Sequence, residues 1–128
     1  MKFSLISKFL LISLLLFSLS CNQDDPFRVD YSQVPEPFDI SGISPTETES
    51  GLIIYDLQEG EGPFTINRRD GISVYYTGRD EEGRVFDSSY RNGKDTPDFF
   101  GDLGSLIQGW REGVIGMKEG QVRVLLIP

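Results

Sequence analysis

Glycine is distributed unevenly along this chain, and that distribution limits the fold more than any other feature. All fourteen glycines lie at Gly42 or later. From there on they cut the sequence into short stretches, and each glycine inside a helix costs about 1 kcal/mol relative to alanine. Long helices are therefore excluded from the second half. Upstream, Asn22 to Ser50 carries Pro26, Pro35, Pro37 and Pro45 and shows no sustained periodicity. Such a segment reads as an extended spacer, with a glycine-rich domain beginning near Gly51.

The pattern inside that domain is β-rich. Leu52 to Leu57 is an apolar strand stopped by Gly60 and Gly62-Pro63. Gly71 to Thr77 alternates, with Ile72, Val74 and Tyr76 on one face and Ser73, Tyr75 and Thr77 on the other. Gly78 should end it. Asp80-Glu81-Glu82-Gly83 is a hairpin turn, and Val85-Phe86 begins the return strand. Ser105 and Gln108 have the spacing of a capping box that opens a short helix. On that helix Ile107, Trp110 and Val114 share the inward face. Val122 to Ile127 is a last strand, apolar at both parities from Val124, as expected for a strand covered on both sides.

Composition removes several chemistries. The chain has no histidine and one cysteine. A zinc site built from four nitrogen or sulfur ligands lacks its donors, and the histidine base of a nucleophilic triad is missing. An intrachain disulfide is impossible. Twenty acids against twelve bases give a net charge of -8, which argues against nucleic acid as a partner.

The amino end reads as a targeting segment. Lys2 and Lys8 precede a dense apolar run from Phe9 to Leu19, too short for an ordinary membrane span. It ends at Ser18-Leu19-Ser20-Cys21, which resembles a bacterial lipobox, although leucine is usual where Ser18 stands. That resemblance implies a signal peptide over residues 1–20, acylation of Cys21 and a lipidated Pro-rich spacer over 21–50. The expected location is the bacterial cell envelope, anchored through lipid to a membrane, the outer membrane first. Asn22-Gln23-Asp24-Asp25 follows directly, an acidic start that accompanies surface export in some such lipoproteins.

Four motifs in fixed order carry a second resemblance. They are Val74-Tyr75-Tyr76-Thr77-Gly78, then Gly83-Arg84-Val85-Phe86-Asp87-Ser88-Ser89. Leu106-Ile107-Gln108-Gly109-Trp110-Arg111-Glu112-Gly113-Val114 and Met117-Lys118-Glu119-Gly120-Gln121 complete the set. Together they resemble the FKBP-type peptidyl-prolyl cis-trans isomerases, over about residues 51–128. The resemblance implies an α+β fold: a curved antiparallel β-sheet wrapped around one short α-helix, with the active site between them. It implies pocket positions for Tyr76, Phe86, Asp87, Leu106, Ile107 and Trp110. Trp110 would be the floor and the Ile107 amide a donor to a substrate carbonyl. Phe99 or Phe100 would supply a further wall, and the irregular spacing through Gly101-Asp102-Leu103-Gly104 leaves the choice open. Asp87 would pair with a tyrosine and a basic partner, for which Arg91 is available. The implied partners are proline-containing polypeptides and the macrolide ligands of the family, with no cofactor and no metal.

Prolyl isomerisation suits a chain with this inventory. The X-Pro barrier is set by amide resonance at roughly 18–20 kcal/mol, and no bond to hydrogen breaks. An apolar pocket weakens the charge-separated resonance form and favours the twisted amide over either planar isomer. A hundredfold acceleration needs only about 2.7 kcal/mol of such preference.

Plainer readings stand beside these roles. Trp110, Phe86 and Tyr76 are also ordinary packing residues. Asp87 before Ser88-Ser89 is also a turn former, and Glu81-Glu82 is a solvated turn. The resembled family continues past the strand at Val122–Ile127 with a tyrosine-bearing loop and a central strand. The expectation is therefore a domain incomplete at Pro128, lacking its last strand. Two other functions compete: a non-catalytic proline-binding module on the membrane, and a carboxylate hydrolase using Asp87 with Asp98 or Asp102.

Overall fold

The computed structural model describes residues 27–128. The apolar leader, the lipobox and Cys21 lie outside the described residues. Seven strands and one α-helix follow: β1 (Thr46–Glu47), β2 (Ile53–Gln58), β3 (Ile72–Val74), β4 (Thr77–Arg79), β5 (Val85–Ser88), β6 (Asp98–Phe100), α1 (Gln108–Val114) and β7 (Val122–Leu126). Single 3-10 turns occupy Arg91–Gly93 and Leu103–Ser105.

All strand pairs are antiparallel, as expected. Their hydrogen bonds fall into three pieces, a β1-β2-β7 sheet and two ribbons, β3-β6 and β4-β5, in place of one continuous sheet. The stretch from Gly71 to Thr77 divides between the ribbons. Ile72 pairs with Phe100 and Thr77 with Ser88, so the chain changes partner at Tyr75-Tyr76. The alternation holds up to the break, with Ile72 buried and Ser73 and Tyr75 exposed, and ends there, since Thr77 is half-buried like Tyr76 and bonds to buried Ser88. Gly78 does not stop the strand; it continues to Arg79, and Phe86 lies across the bare Gly78 backbone.

The turn at Asp80–Gly83 forms as expected. Gly83 has a φ of 82°. The Asp80 carboxylate accepts from the amides of Glu82 and Arg84, at 3.1 and 2.8 Å.

The capping box does not form. Leu106 and Ile107 are extended, and Ile107 itself is the N-cap of α1, with no side-chain bond. This places Ser105 too far upstream. Asp102 instead caps the Leu103–Ser105 turn, its carboxylate accepting from the Gly104 amide at 2.7 Å. Ile107 consequently leaves the inward face and is 64% exposed. The helix is short, as the glycines predict, yet those glycines also seat it. A Cβ at Gly113 would stand 2.3 Å from Leu125 Cδ1, and one at Gly109 2.6 Å from Ile127 Cγ2.

Ile72, Leu103 and Val114 form the buried core, with Val74, Phe100, Leu106 and Trp110 packed against it. β7 is covered in part on both faces: Val122 to Leu125 are half-buried, with Leu125 against Gly113 of α1. Its only strand neighbour among the described residues is β2, and Leu126 and Ile127 are exposed.

Residues 27–50 form little regular structure, as their prolines predict, but they are bound along the domain. Thr46–Glu47 pairs with β2. The Tyr31 hydroxyl donates to the Phe86 carbonyl at 2.9 Å, and Arg79 donates to the Pro35 carbonyl at 2.8 Å. Asp30 and Asn92 exchange two bonds, of 2.8 and 2.7 Å, which hold Asn92 in the left-handed region at φ 56°.

Candidate functional site

Three aromatic rings meet beside α1. Trp110 comes from the helix, Phe100 from β6 and Tyr76 from the break between β3 and β4. Ring centroids are 5.1 Å apart for Phe100–Trp110, 5.7 Å for Tyr76–Phe100 and 6.0 Å for Tyr76–Trp110. The rings are tilted or edge-on, the arrangement that their quadrupoles favour. Trp110 packs on the core and keeps part of its surface open.

The pleat decides between the two phenylalanines. Phe100 sits opposite buried Ile72 and faces inward. Phe99 sits opposite exposed Ser73, is 71% exposed, and covers the bare backbone of Gly71. Of the two residues left open for the wall, Phe100 is the one whose ring faces Trp110 and Tyr76.

Tyr76 is held by two serines to which the sequence alone gives no role of their own. Ser88 and Ser89 are fully buried. The Tyr76 carbonyl accepts from Ser88 Oγ at 3.0 Å and from the Ser89 amide at 3.0 Å, and the Tyr76 amide donates to Ser89 Oγ at 3.0 Å. Ser88 Oγ gives its one hydrogen to Tyr76, so it accepts from Thr77 Oγ1 at 3.0 Å and from the Tyr90 amide at 3.1 Å. Buried hydroxyls thereby satisfy the backbone where the strand breaks. A pair of small hydroxyl residues following an alternating strand is the signal that marks them.

The Tyr76 hydroxyl donates to Asp87 Oδ2 at 2.7 Å. Burial first, and then this carboxylate, hold the phenol well above the ordinary tyrosine range. Asp87 also accepts from the Ser88 amide at 2.9 Å, so it does its turn work as well. The expected basic partner is present but distant: Arg91 lies 3.8 Å from Asp87 and 2.6 Å from Asp98. Asp98 also pairs with Lys94. Arg91 and then Lys94 hold the Asp98 carboxyl below the usual range. It is an ion-pair partner, which removes the proton that a hydrolase acid would donate, and Asp102 is committed to its own turn.

The other expected residues are placed as follows. Leu106 is half-buried against the core. Ile107 is exposed at the mouth of the helix, and its N–H has no acceptor among the described residues. Phe86 is 66% exposed and makes none of the ring contacts of the trio, lying over Gly78. The result is an open apolar floor with one free amide and one hydroxyl–carboxylate pair at its edge. Its three rings offer a neutral, apolar surface.

The chain matches the FKBP-type peptidyl-prolyl cis-trans isomerase family over residues 62–128. An FK506-binding protein of Neisseria meningitidis serogroup B is 47% identical over 78 residues, covering 61% of this chain and 70% of that protein. The FKBP-type peptidyl-prolyl cis-trans isomerase FkpA of Buchnera aphidicola is 40% identical over 81 residues, 63% of this chain and 31% of the relative. The crystal structure of FkpA from Escherichia coli superposes with a TM-score of 0.60 at 30% identity, covering 70% of this chain and 40% of that one. The aromatic trio, the short glycine-seated helix and these matches agree: the chain belongs to the FKBP-type peptidyl-prolyl cis-trans isomerases.

Proposed function

We propose that this isomerase acts on X-Pro bonds of polypeptides folding in the cell envelope, held to a membrane by lipid on Cys21. The observation that carries the catalytic part is the Tyr76–Phe100–Trp110 trio beside the free Ile107 amide. A proline ring would rest on Trp110, with Phe100 and Tyr76 as walls and the Ile107 N–H on a substrate carbonyl. Asp87 orients Tyr76. Apolar contact and loss of water around the amide then favour the twisted geometry. The macrolides bound by relatives named for FK506 would occupy the same floor. The lipid anchor and the envelope location are supported by the apolar run that ends at the chain's single cysteine. Two acyl chains give stable attachment where one is marginal.

Two experiments test this. Isomerisation of an X-Pro peptide by the full chain should be accelerated, and Trp110→Ala should remove most of the gain. Binding of the peptide without acceleration would make this a proline-binding module instead. In cells, Cys21→Ala should leave the protein unprocessed or release it from the membrane fraction. Unchanged mass and retention would remove the anchor.

A further inference from the structure

A concavity separate from the aromatic trio lies among the described residues. It measures about 480 Å³ and is lined by Arg68, Arg69, Gly101, Asp102, Gly104 and Arg111. A second one, of about 310 Å³, adjoins it and shares Arg68 and Arg111, with Glu112 at its side.

The acids nearby bond to neutral donors and form no ion pair with these arginines. Asp102 accepts from the Gly104 amide at 2.7 Å. Glu112 accepts from Ser50 Oγ at 2.8 Å. Asp70, next in sequence to Arg69, accepts from the Asn67 amide at 2.7 Å. Arg68 and Arg69 make no ion pair or side-chain hydrogen bond among the described residues, and Arg111 reaches only the Gly104 carbonyl at 3.4 Å. By contrast Arg84, Arg91 and Arg123 each hold a carboxylate within 3 Å. In a chain with twenty acids against twelve bases, three arginines gathered at one concavity without an ion pair form a local basic cluster.

We infer that the Arg68–Arg69–Arg111 concavity binds carboxylates of a polypeptide that lies across the aromatic floor, so that the enzyme prefers acidic residues near the proline. The inference rests on the isomerase reading. The two sites adjoin through the chain: Phe100 is followed by Gly101, and Trp110 by Arg111. An extended substrate advances about 3.3–3.6 Å per residue, so residues a few positions from the proline reach past the floor. Guanidinium forks suit carboxylates in two-point contact. The net charge of -8 disfavours such a substrate on average over the rest of the chain, which favours contact here.

The test compares X-Pro peptides carrying two glutamates, before or after the proline, with analogues carrying glutamine. At low salt, an acidic peptide should show kcat/KM roughly fivefold higher than its glutamine analogue. The ratio should fall to about one in Arg68→Ala/Arg69→Ala and near ~1 M salt, where screening is nearly complete. Arg68→Glu/Arg69→Glu should turn the preference toward lysine-bearing peptides. Equal kcat/KM for accelerated acidic and glutamine peptides would overturn the inference and leave the isomerase intact. If no peptide were accelerated, the isomerase reading would fall. The concavity is then judged by NMR shifts at the Arg68, Arg69 and Arg111 side chains. Shifts with the acidic peptide alone uphold carboxylate binding. Their absence overturns it, as does binding to phosphatidylglycerol vesicles that only the double alanine variant loses.

Discussion

The Tyr76 hydroxyl and the Asp87 carboxylate are joined by a 2.7 Å hydrogen bond, which ties the aromatic trio to the β4–β5 ribbon. The proton of Tyr76 is held above its ordinary value by burial and then by this acceptor. A raised value makes the stabilisation complete below the unfolded tyrosine range of about 10. It is lost as pH rises through the higher folded value. Denaturant unfolding at a series of alkaline pH values should show that loss, and Tyr76→Phe should diminish it. At neutral pH the variant should cost about 1 kcal/mol, modest because Asp87 is half exposed. An alkaline decline identical in both proteins would show that Tyr76 is not its source.

Phe100 and Phe99 are adjacent in sequence and opposite in placement, so they separate pocket from surface. Phe100→Ala removes two ring contacts within the trio. It should lower kcat/KM for X-Pro isomerisation by about tenfold, given aromatic contacts of roughly 0.5–1.5 kcal/mol. Phe99→Ala uncovers Gly71 and should change the rate little. Peptide assays, with folding followed by circular dichroism, decide it. A larger loss from Phe99→Ala would return the wall to that residue.

Gly113 shows a helix weakened for the sake of packing. Replacing it by alanine would gain about 1 kcal/mol of helix propensity. The new Cβ would stand 2.3 Å from Leu125 Cδ1, and relieving that overlap costs about 1–3 kcal/mol. Gly113→Ala should therefore lower the thermal midpoint, with partial recovery in Gly113→Ala/Leu125→Ala. A raised midpoint in the single variant would mean that β7 yields easily.

The parts of this fold legible in the sequence are those that local chemistry decides. The Asp80–Gly83 turn needs a positive φ at its glycine, and alternation from Ile72 assigns the faces correctly as far as Tyr75, where the chain changes partner. Trp110 and Tyr76 come together where the motifs imply. The remainder depends on pairings and turn geometry that no local pattern states. Whether Phe99 or Phe100 faces inward follows from pairing with Ser73 and Ile72, more than twenty residues away. The capping spacing at Ser105 is real, but the extended Leu106-Ile107 step overrides it. Asp98 is a plain surface acid until the fold brings Arg91 and Lys94 to it. The reach of Tyr31 to Phe86 spans 55 residues and has no local signature.

That last contact belongs to a strap that makes the segment before β1 part of the domain. Asn92 lies at its centre, at φ 56°, accepting from the Asp30 amide and donating its own amide to the Asp30 carbonyl. Asparagine tolerates this conformation better than most residues, and alanine resists it by roughly 1–2 kcal/mol. Asn92→Gly should lose only the side-chain bond, about 0.5–1 kcal/mol, with glycine at ease in the left-handed region. Asn92→Ala should lose that bond and strain the backbone as well, so it should be the less stable of the two. Tyr31→Phe should loosen the same strap from the other end by removing its bond to Phe86. Limited proteolysis between Phe27 and Pro35 measures the attachment, and denaturant midpoints measure the cost. Cleavage should quicken in the order wild type, Asn92→Gly, Asn92→Ala. Equal cleavage in all of them would mean that the strap hangs free and that the domain stands without it.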